Sequence, residues 1–343
     1  MATPAIASLA ASFPGVGLDV MTGAWTRPAF AGSPNVHRVL DSEMMLGGRR
    51  PDPATMARVV RRLGGGGYDA AIVLETGLWL ALLPWLAGIP VRSGLDSGGR
   101  GMTHSRAVAV VGVRHEAERY LDCARAIGAD RIVRRMTFRP GEAGEAEADA
   151  ALRAAGWAGE ELAVLHPGGG ANPGMRLESK RWPVERFGAL ARRIAERGPR
   201  PVVVCGRGEE PLGAELAAAV PFAIGIGARL SLAGLGALAA RAALYVGNDS
   251  GPTHVAAAVG APTLAIFGPS DERRYGPFGE WPDGTPIGDA VAEPRLAPDD
   301  PAAPFLSRSV ANVSVDAAAA VAERVMERGA RWRGGGAGAE RRG

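Results

Sequence analysis

The second half of the chain alternates short apolar runs with amphipathic stretches, and this alternation predicts a parallel α/β sheet. Each apolar run has the length of a strand and is followed by turn residues and then by apolar positions at helical spacing. Strands that alternate with helices in this way are typical of a doubly wound fold. The expected strands are 161–165, 201–205, 222–226, 242–246 and 263–267, and the expected helices are 184–197, 211–219, 232–240 and 253–259.

The first half shows the same alternation less regularly. The glycine-rich segment 94–102 is predicted to be a loop, and the glycines at 64–67 are predicted to end a helix because a strand follows them. Helices are expected at 4–13, 53–63, 78–86 and 115–127, and strands at 17–21, 37–40 and 68–74.

Composition changes suggest where the domains divide. The acidic, alanine-rich segment 141–156 is typical of a linker that leads into a helix, so we expect an N-terminal Rossmann-like domain at 1–150. A second Rossmann-like domain is expected at 151–312, followed by an amphipathic helix at 313–329. The glycine- and arginine-rich segment 330–343 is predicted to be a disordered tail.

The chain has 343 residues and a net charge of +3, which suits two domains and gives no strong attraction to nucleic acid. Cys123 and Cys205 are the only cysteines, so a disulfide framework is not expected and a reducing cytoplasm fits. The most apolar run, 70–91, contains Glu75, Gly77 and Pro84. These residues favour a strand, a turn and a buried helix over a membrane span.

The densest group of polar residues follows the expected strand 242–246. Asp249, Ser250, Gly251, Thr253 and His254 surround a proline that suits the first position of a helix. This pattern predicts a helix N-terminus at the carboxyl end of a strand, where free N–H groups can bind an anion such as phosphate. An ordinary α/β crossover is the alternative, but its turn glycines would not explain so many polar side chains.

Three motifs of the second half resemble those of glycosyltransferase family 9, the heptosyltransferase family. They are Asp249-Ser250-Gly251-Pro252-Thr253-His254 with Phe267-Gly268-Pro269-Ser270-Asp271, His166-Pro167-Gly168-Gly169-Gly170, and Lys180-Arg181-Trp182-Pro183. The resemblance covers residues 3–326 and implies the GT-B architecture, in which two doubly wound Rossmann-like domains face a cleft. Ligands of such domains bind at the carboxyl ends of the strands.

The resemblance implies a nucleoside-diphosphate sugar, with ADP as the expected nucleotide, as the donor. We expect Lys180 and the helix after Gly251 to neutralise the diphosphate, and Ser250 or Thr253 to add a hydroxyl. The backbone at Gly168 and Gly169 would approach the sugar or the diphosphate, with a flexible turn as the alternative. The family's ribose-binding carboxylate corresponds to Glu209 or Glu210, between which the sequence does not choose.

Three other side chains near the donor motifs have two interpretations each. Asp249 is expected to orient its loop by accepting backbone N–H bonds, and direct contact with the donor is the alternative. His254 either faces the diphosphate or packs internally. Trp182 is expected to pack between helix and sheet rather than to stack on a base.

No metal or cofactor is expected. The chain contains no Asp-x-Asp pair of the kind that holds a divalent ion in other glycosyltransferases, and Asp299-Asp300 lies in a proline-rich loop. Lysine and a helix dipole in place of a metal are therefore the consistent interpretation, and the family is likewise regarded as metal-independent.

The resemblance places the catalytic base, an aspartate in a Gly-Asp loop, upstream of Met1. We therefore expect Met1 to be an internal methionine of a longer natural chain that carries the first strand and this base. A genuine start at Met1 is the alternative, and it would favour a nucleotide-sugar-binding protein with impaired catalysis.

The leading hypothesis is an inverting, metal-independent glycosyltransferase that transfers heptose or a similar sugar to a cell-envelope glycan or lipid-linked acceptor. Arg92, Arg100 and Arg106 are acceptor-side candidates, although a solvated surface explains them equally well. A nicotinamide-dependent oxidoreductase is disfavoured because no strand–GxGxxG–helix unit is present. We expect a cytoplasmic monomer of lipopolysaccharide biosynthesis that contacts the inner membrane surface peripherally and binds no nucleic acid.

Overall fold

The computed structural model describes residues 1–43, 51–74, 77–172, 175–293 and 308–334, with only the backbone described at 171–172 and 175–176. The chain divides into two compact units, Met1–Arg134 and a second unit that begins at Arg135. Asp299, Asp300 and the end of the expected tail, 335–343, lie outside the described residues.

The first unit contains five parallel strands in two separate sheets among its described residues. β1 pairs with β2 in one sheet, and the other sheet has the order β3-β4-β5. The elements are α1 Thr3–Ser12, β1 Asp19–Thr22, β2 Arg38–Asp41, α2 Pro53–Gly64, β3 Ala70–Val73, α3 Leu78–Leu86, β4 Val91–Asp96, β5 Arg106–Ala109 and α4 Glu116–Ala126.

The second unit is built on a six-stranded sheet with a short hairpin beside it. Its elements are α5 Gly141–Ala154, β6 Leu162–His166, β7 Ala171–Asn172, β8 Met175–Arg176, α6 Val184–Ala195, β9 Arg200–Val204, α7 Glu210–Ala219, β10 Ile224–Gly227, α8 Leu232–Arg241, β11 Leu244–Asn248, α9 Gly251–Ala258, β12 Thr263–Phe267, α10 Glu272–Tyr275, β13 Gly288–Ala292 and α11 Val315–Gly334.

The six-stranded sheet is parallel throughout, with the order β10-β9-β6-β11-β12-β13. The chain winds outward from β6 in one direction and then restarts at β11 in the other, which is the doubly wound order of a Rossmann fold. Residues of α6, α7 and α11 cover one face of the sheet, and residues of α5, α8 and α9 cover the other. The α/β fold class that the sequence predicts is confirmed.

The division between the units differs from the expected boundary near residue 150. The segment with linker-like composition is the whole of α5, whose Gly144, Ala148 and Leu152 are buried. A Cβ at Gly144 would lie 2.8 Å from the backbone of Ala233, so the glycine lets α5 approach α8 closely. Small residues that make this contact also give the segment the composition of a linker.

α11 is longer than the expected helix, because it continues to Gly334. Residues 330–334 are therefore helical and do not belong to a disordered tail. The buried side chains of α11 include Ala318, Ala322 and Val325, and they pack in the core of the second unit. The expected return of this helix to the first domain stays a prediction.

The expected loop 94–102 is wrong at its start, because β4 extends through Gly94 to Asp96. Gly94 is a strand residue against which the ring of His104 packs, so closely that a Cβ would overlap the ring. The sequence also did not predict β4 itself, the edge strands β5 and β13, the hairpin strands β7 and β8, or the short helix α10. The other predicted helices and strands correspond to observed elements, with ends that shift by a few residues.

Cys123 and Cys205 are free and buried, one in each unit. Burial raises the pKa of the Cys123 thiol to about 12 and that of Cys205 to about 11. None of the helices in the described ranges combines the length and the apolar character needed to cross a bilayer.

Asp19 joins the two sheets of the first unit. Its carboxylate accepts hydrogen bonds from Arg38 Nη2 of β2 at 2.6 Å and from the hydroxyl of Tyr68, just before β3, at 2.7 Å. The Asp19 side chain is only 5% exposed. The hydrogen bond from Arg38, with those from Tyr68 and His37, lowers the pKa of Asp19 to about 2.

We expect Asp19→Asn to lower the free energy of unfolding by roughly 1–2 kcal/mol at pH 7, because the amide loses the charge-assisted bond to Arg38. A carboxyl group whose pKa is depressed on folding stabilises above its unfolded pKa of about 4, and this stabilisation is lost as the pH falls towards 2. The difference from wild type should therefore shrink over that range in urea titrations followed by circular dichroism. The exposed Asp130→Asn variant is the control, and a pH-independent difference would contradict this account.

Candidate functional site

The candidate site lies where the second sheet changes its winding direction, between β6 and β11. Asn248, the last residue of β11, is fully buried. Its Nδ2 donates to the carbonyl oxygens of Pro167 and Gly168, both at 2.9 Å, and its Oδ1 accepts from the backbone N–H of Trp182 at 3.0 Å. One amide thus joins the β6 loop, the 180–183 segment and β11 at the sheet edge where ligands of such folds bind.

The loop after β6 can follow its path only because it contains glycine. Gly169 and Gly170 have φ angles of +113° and +75°, which favour glycine. A Cβ at Gly168 would overlap Oε2 of Glu209. The loop therefore lies close to Glu209.

Glu209 is buried, and both of its carboxylate oxygens accept hydrogen bonds from other residues of the chain. Its Oε1 accepts from the backbone N–H of Gly169 at 2.7 Å, and its Oε2 accepts from Gly206 at 3.0 Å. Arg181 Nη2 lies 3.2 Å from the same Oε1. Glu210 is exposed at the start of α7, where backbone N–H groups of Glu210 itself and of Gly208 lower the pKa of its carboxyl. Of the two carboxylates, only Glu210 is open to solvent.

The N-terminus of α9 has no side-chain cap within the described chain. Ser250 is the N-cap residue, with an extended backbone, and Pro252 lies in the first turn. The hydroxyl of Thr253 is instead turned inward and donates to the carbonyl of Asn248 at 2.6 Å. A Cβ built on Gly251 would meet no described atom within 4 Å. The start of α9 therefore faces open space. The N–H groups of its first turn have no partner within the helix and can bind an anion.

A positive charge lies beside this helix end. Lys180 Nζ is 2.6 Å from Oδ2 of Asp249, which also accepts from the buried hydroxyl of Ser270. His254 Nε2 is 3.9 Å from the other oxygen of Asp249. The expectation that Asp249 accepts backbone N–H bonds is therefore wrong in its partners, because its carboxylate accepts from the side chains of Lys180 and Ser270.

Lys180 has one property that its contacts alone do not reveal. It is the single lysine in a chain whose lysine and arginine residues together number 39. Arginine serves wherever else this chain places a strong cation. A compact ammonium differs from a planar guanidinium in shape and hydration, so Lys180 is chemically distinct from every other strong cation of the chain.

Two further residues of the quoted motifs support the candidate site, although the sequence assigns no role to either. Arg181 joins Glu209 to the carbonyl of Gly169, which its Nε contacts at 2.8 Å. Ser270 is fully buried, and its carbonyl accepts from Arg308 at 2.5 Å. Their position inside the motifs was the available signal, but their partners lie far away in sequence.

Two buried rings complete the surroundings of the loops. Trp182 is 1% exposed, packs edge-on against Phe187 at 5.2 Å between centroids, and donates from Nε1 to Val313. The prediction that it packs internally is confirmed. His166, at the end of β6, is 2% exposed, and its Nδ1 has no hydrogen-bond partner among the described residues. Burial lowers the pKa of His166, which favours its neutral form at neutral pH.

The acceptor-side candidates of the first unit have different surroundings. The guanidinium of Arg92 donates to the carbonyls of Ile89, Pro90 and Thr103, so it has a structural role. Arg100 donates to Ser97, and Arg106 is exposed on β5.

The described part of the chain contains no cluster of three or more His, Cys, Asp or Glu side chains arranged to hold a metal ion. The donor-side candidates of the second unit come together, because Lys180, Asp249 and His254 meet at the end of α9. Gly168, Gly169 and Glu209 form the adjoining loop.

The chain is similar to several known proteins. The model of glycosyltransferase family 9 (heptosyltransferase) matches residues 56–283. Lipooligosaccharide heptosyltransferase 2 of Haemophilus influenzae is 27% identical over 289 residues, which are 78% of this chain and 79% of that protein.

Two solved structures share the fold. Escherichia coli ADP-heptose lps heptosyltransferase II has a TM-score of 0.70 at 20% identity and covers 95% of this chain and 94% of its own. E. coli heptosyltransferase WaaC with ADP has a TM-score of 0.65 at 19% identity, over 96% and 95%. These likenesses show the GT-B fold class. Because the family model spans well over half of the chain, this protein belongs to glycosyltransferase family 9, the heptosyltransferase family, and is a glycosyltransferase.

Proposed function

We propose that this glycosyltransferase transfers heptose from ADP-heptose to an acceptor of lipopolysaccharide biosynthesis. The observation that carries the proposal is the uncapped N-terminus of α9 with Lys180 beside it, at the switch point of a parallel sheet. This arrangement suits a diphosphate. The nucleotide and the sugar are proposed from the relatives, which are named as heptosyltransferases, and from the solved relative that holds ADP.

The diphosphate would bind at the end of α9 and replace Asp249 as the partner of Lys180. The N–H groups of the first helical turn and the hydroxyl of Ser250 would donate to its oxygens. The carboxylate of Glu209 is already engaged by Gly169, Gly206 and Arg181. Glu210 would therefore be the carboxylate that is available to the ribose hydroxyls. The backbone at Gly168 and Gly169 would then lie against the donor.

The reaction that fits this site is inverting transfer. A hydroxyl of the acceptor attacks the anomeric carbon from the side opposite to ADP, the glycosidic bond to ADP breaks, and the acceptor proton passes to a base. The developing charge on ADP would be stabilised by Lys180 and the α9 dipole, and we propose that no metal ion is required. The acceptor is a cell-envelope glycan or a lipid-linked sugar. Of the three acceptor-side candidates, Arg100 and Arg106 are those whose guanidinium groups are not held by backbone carbonyls.

Release of ADP from ADP-heptose in the presence of heptose-poor lipopolysaccharide core tests the reaction. We expect acceptor-dependent release that EDTA does not slow, and a product whose anomeric configuration, measured by NMR, is opposite to that of the donor. Retained configuration, or EDTA inhibition that Mg²⁺ reverses, would contradict the mechanism. The absence of ADP release with every such acceptor would contradict the function.

Replacement of the single lysine tests the role of its charge. We expect Lys180→Met to lower kcat/KM roughly 100-fold, because a charge-assisted contact to the departing diphosphate is lost. Lys180→Arg should recover only part of this loss, since a guanidinium does not fit the place of an ammonium. Arg193→Met, which removes an exposed cation paired with Asp316 on the surface, is the matched control and should behave like wild type. Equal activity of Lys180→Met and the control would exclude the assignment.

Gly251→Ala tests where the diphosphate lies. The added methyl group meets no described atom within 4 Å in the ligand-free protein, so the melting temperature should not fall. The methyl group would occupy space that the diphosphate needs, and we expect ADP to bind about tenfold more weakly by calorimetry. Gly334→Ala, also in open surroundings near the end of α11, is the control. Unchanged ADP affinity in Gly251→Ala would place the diphosphate elsewhere.

A further inference from the structure

The hydroxyl of Tyr245 is a buried hydrogen-bond donor that lacks an acceptor. Tyr245 lies on β11 and is fully buried, and its Oη has no hydrogen-bond partner among the described residues. Burial raises the pKa of Tyr245, so the hydroxyl keeps its proton at neutral pH. An unpaired buried hydroxyl lowers the stability of the folded chain, and phenylalanine at this position would avoid that loss. Stability therefore does not account for the hydroxyl.

Two further hydroxyls connect Tyr245 with the open start of α9. A Cβ built on Gly247 would lie 2.7 Å from Oγ1 of Thr253 and 3.3 Å from Oη of Tyr245, so both hydroxyls lie against this glycine. Oγ1 of Thr253 is in turn 3.4 Å from Oγ of Ser250, the N-cap residue of α9. Tyr245 and Thr253 are buried, whereas Ser250 is partly exposed. We call Tyr245, Thr253 and Ser250 the hydroxyl row.

The hydrogen bonds along the hydroxyl row have a defined direction. Thr253 has one hydroxyl proton, which it donates to the carbonyl of Asn248 at 2.6 Å. Ser250 is therefore the hydrogen-bond donor in its contact with Thr253, and the distance of 3.4 Å makes this a weak bond between two oxygens. A phosphate oxygen is a stronger acceptor than a neutral hydroxyl. A diphosphate at the start of α9 would therefore take the hydrogen bond of Ser250 away from Thr253.

We propose that Tyr245 is a positioning residue for the sugar donor, and that its hydroxyl donates to Oγ1 of Thr253 once the diphosphate has taken the hydrogen bond of Ser250. This inference rests on the proposed binding of the diphosphate at the start of α9. Each proton stays on its own oxygen, Ser250 changes its acceptor, and Tyr245 gains the acceptor that it lacks. The buried hydroxyl would thereby hold Thr253, and with it the first turn of α9, in the arrangement that binds the diphosphate.

Tyr245→Phe removes the hydroxyl and leaves the ring in place. Because no hydrogen bond is lost, the melting temperature without ADP should not fall. ADP should bind about fivefold more weakly by calorimetry, because the bond that Tyr245 gains in the complex is missing. Damage to the fold would lower both quantities, so a lower affinity at an unchanged or higher melting temperature identifies a positioning role.

Tyr68→Phe is the matched control. The hydroxyl of Tyr68 donates to Asp19 at 2.7 Å in the first unit, outside the hydroxyl row. This variant should therefore melt at a lower temperature than wild type and bind ADP with wild-type affinity. The two substitutions remove the same group and are expected to have opposite effects on stability and on binding.

A second variant tests whether Tyr245 acts through the hydroxyl row. In Ser250→Ala, no hydroxyl competes with Tyr245 for Thr253, so the bond from Tyr245 can form with and without ADP. Tyr245→Phe should then lower the melting temperature of the Ser250→Ala protein and leave its ADP affinity unchanged. Losses of ADP affinity that simply add in the double variant would contradict the coupling.

Other results would overturn the inference in distinguishable ways. Wild-type binding of ADP that Tyr245→Phe leaves unchanged would exclude the role of the hydroxyl and leave the proposed function standing. A Tyr245→Phe protein with both a lower melting temperature and weaker ADP binding would show that the hydroxyl only supports the fold. A wild-type chain that does not bind ADP would overturn the proposed donor site, and this inference with it.

Discussion

The buried amide of Asn248 makes three hydrogen bonds, and each ends on the backbone of a segment of the candidate site. Two reach the loop after β6, and the third fixes the segment that begins with Lys180. A buried amide is expensive to leave unpaired, so these bonds favour one relative placement of the segments. Asp249 and the start of α9 follow Asn248 directly, and these bonds therefore also place the helix end relative to the segment that carries Lys180.

Around this amide the protein uses its charged residues in two ways. Glu209 and Arg181 stabilise the conformation of the glycine loop, because both form hydrogen bonds with its backbone. Lys180 and Asp249 form an ion pair beside the open end of α9, where the diphosphate of the proposed donor would compete with the carboxylate for the ammonium. The first pair fixes the backbone of the loop, and the second places a cation beside the start of α9.

The sequence predicted the strands of the second sheet well, because buried apolar runs such as Thr263–Phe267 have the length and the flanking turns of a parallel strand. The sequence-based predictions were wrong where contacts with other residues of the folded chain determine the local structure. Gly94 is predicted to lie in a loop, but in the structure it is a strand residue against which the ring of His104 packs. The segment of α5 is predicted to be a linker, but its small residues form a close contact with α8. The role of Glu209 was equally hidden, since its partner Gly169 lies 40 residues earlier in the chain.

The solitary lysine has a practical consequence. Reagents that acylate ε-amines, including those that attach enzymes to sensor surfaces, find one such side chain in this protein, and it stands 2.6 Å from Asp249 at the open end of α9. Immobilisation through lysine would therefore consume the cation that we propose for the donor site. Attachment through either cysteine is hindered as well, because both thiols are buried. A tag is the coupling route that leaves this enzyme intact.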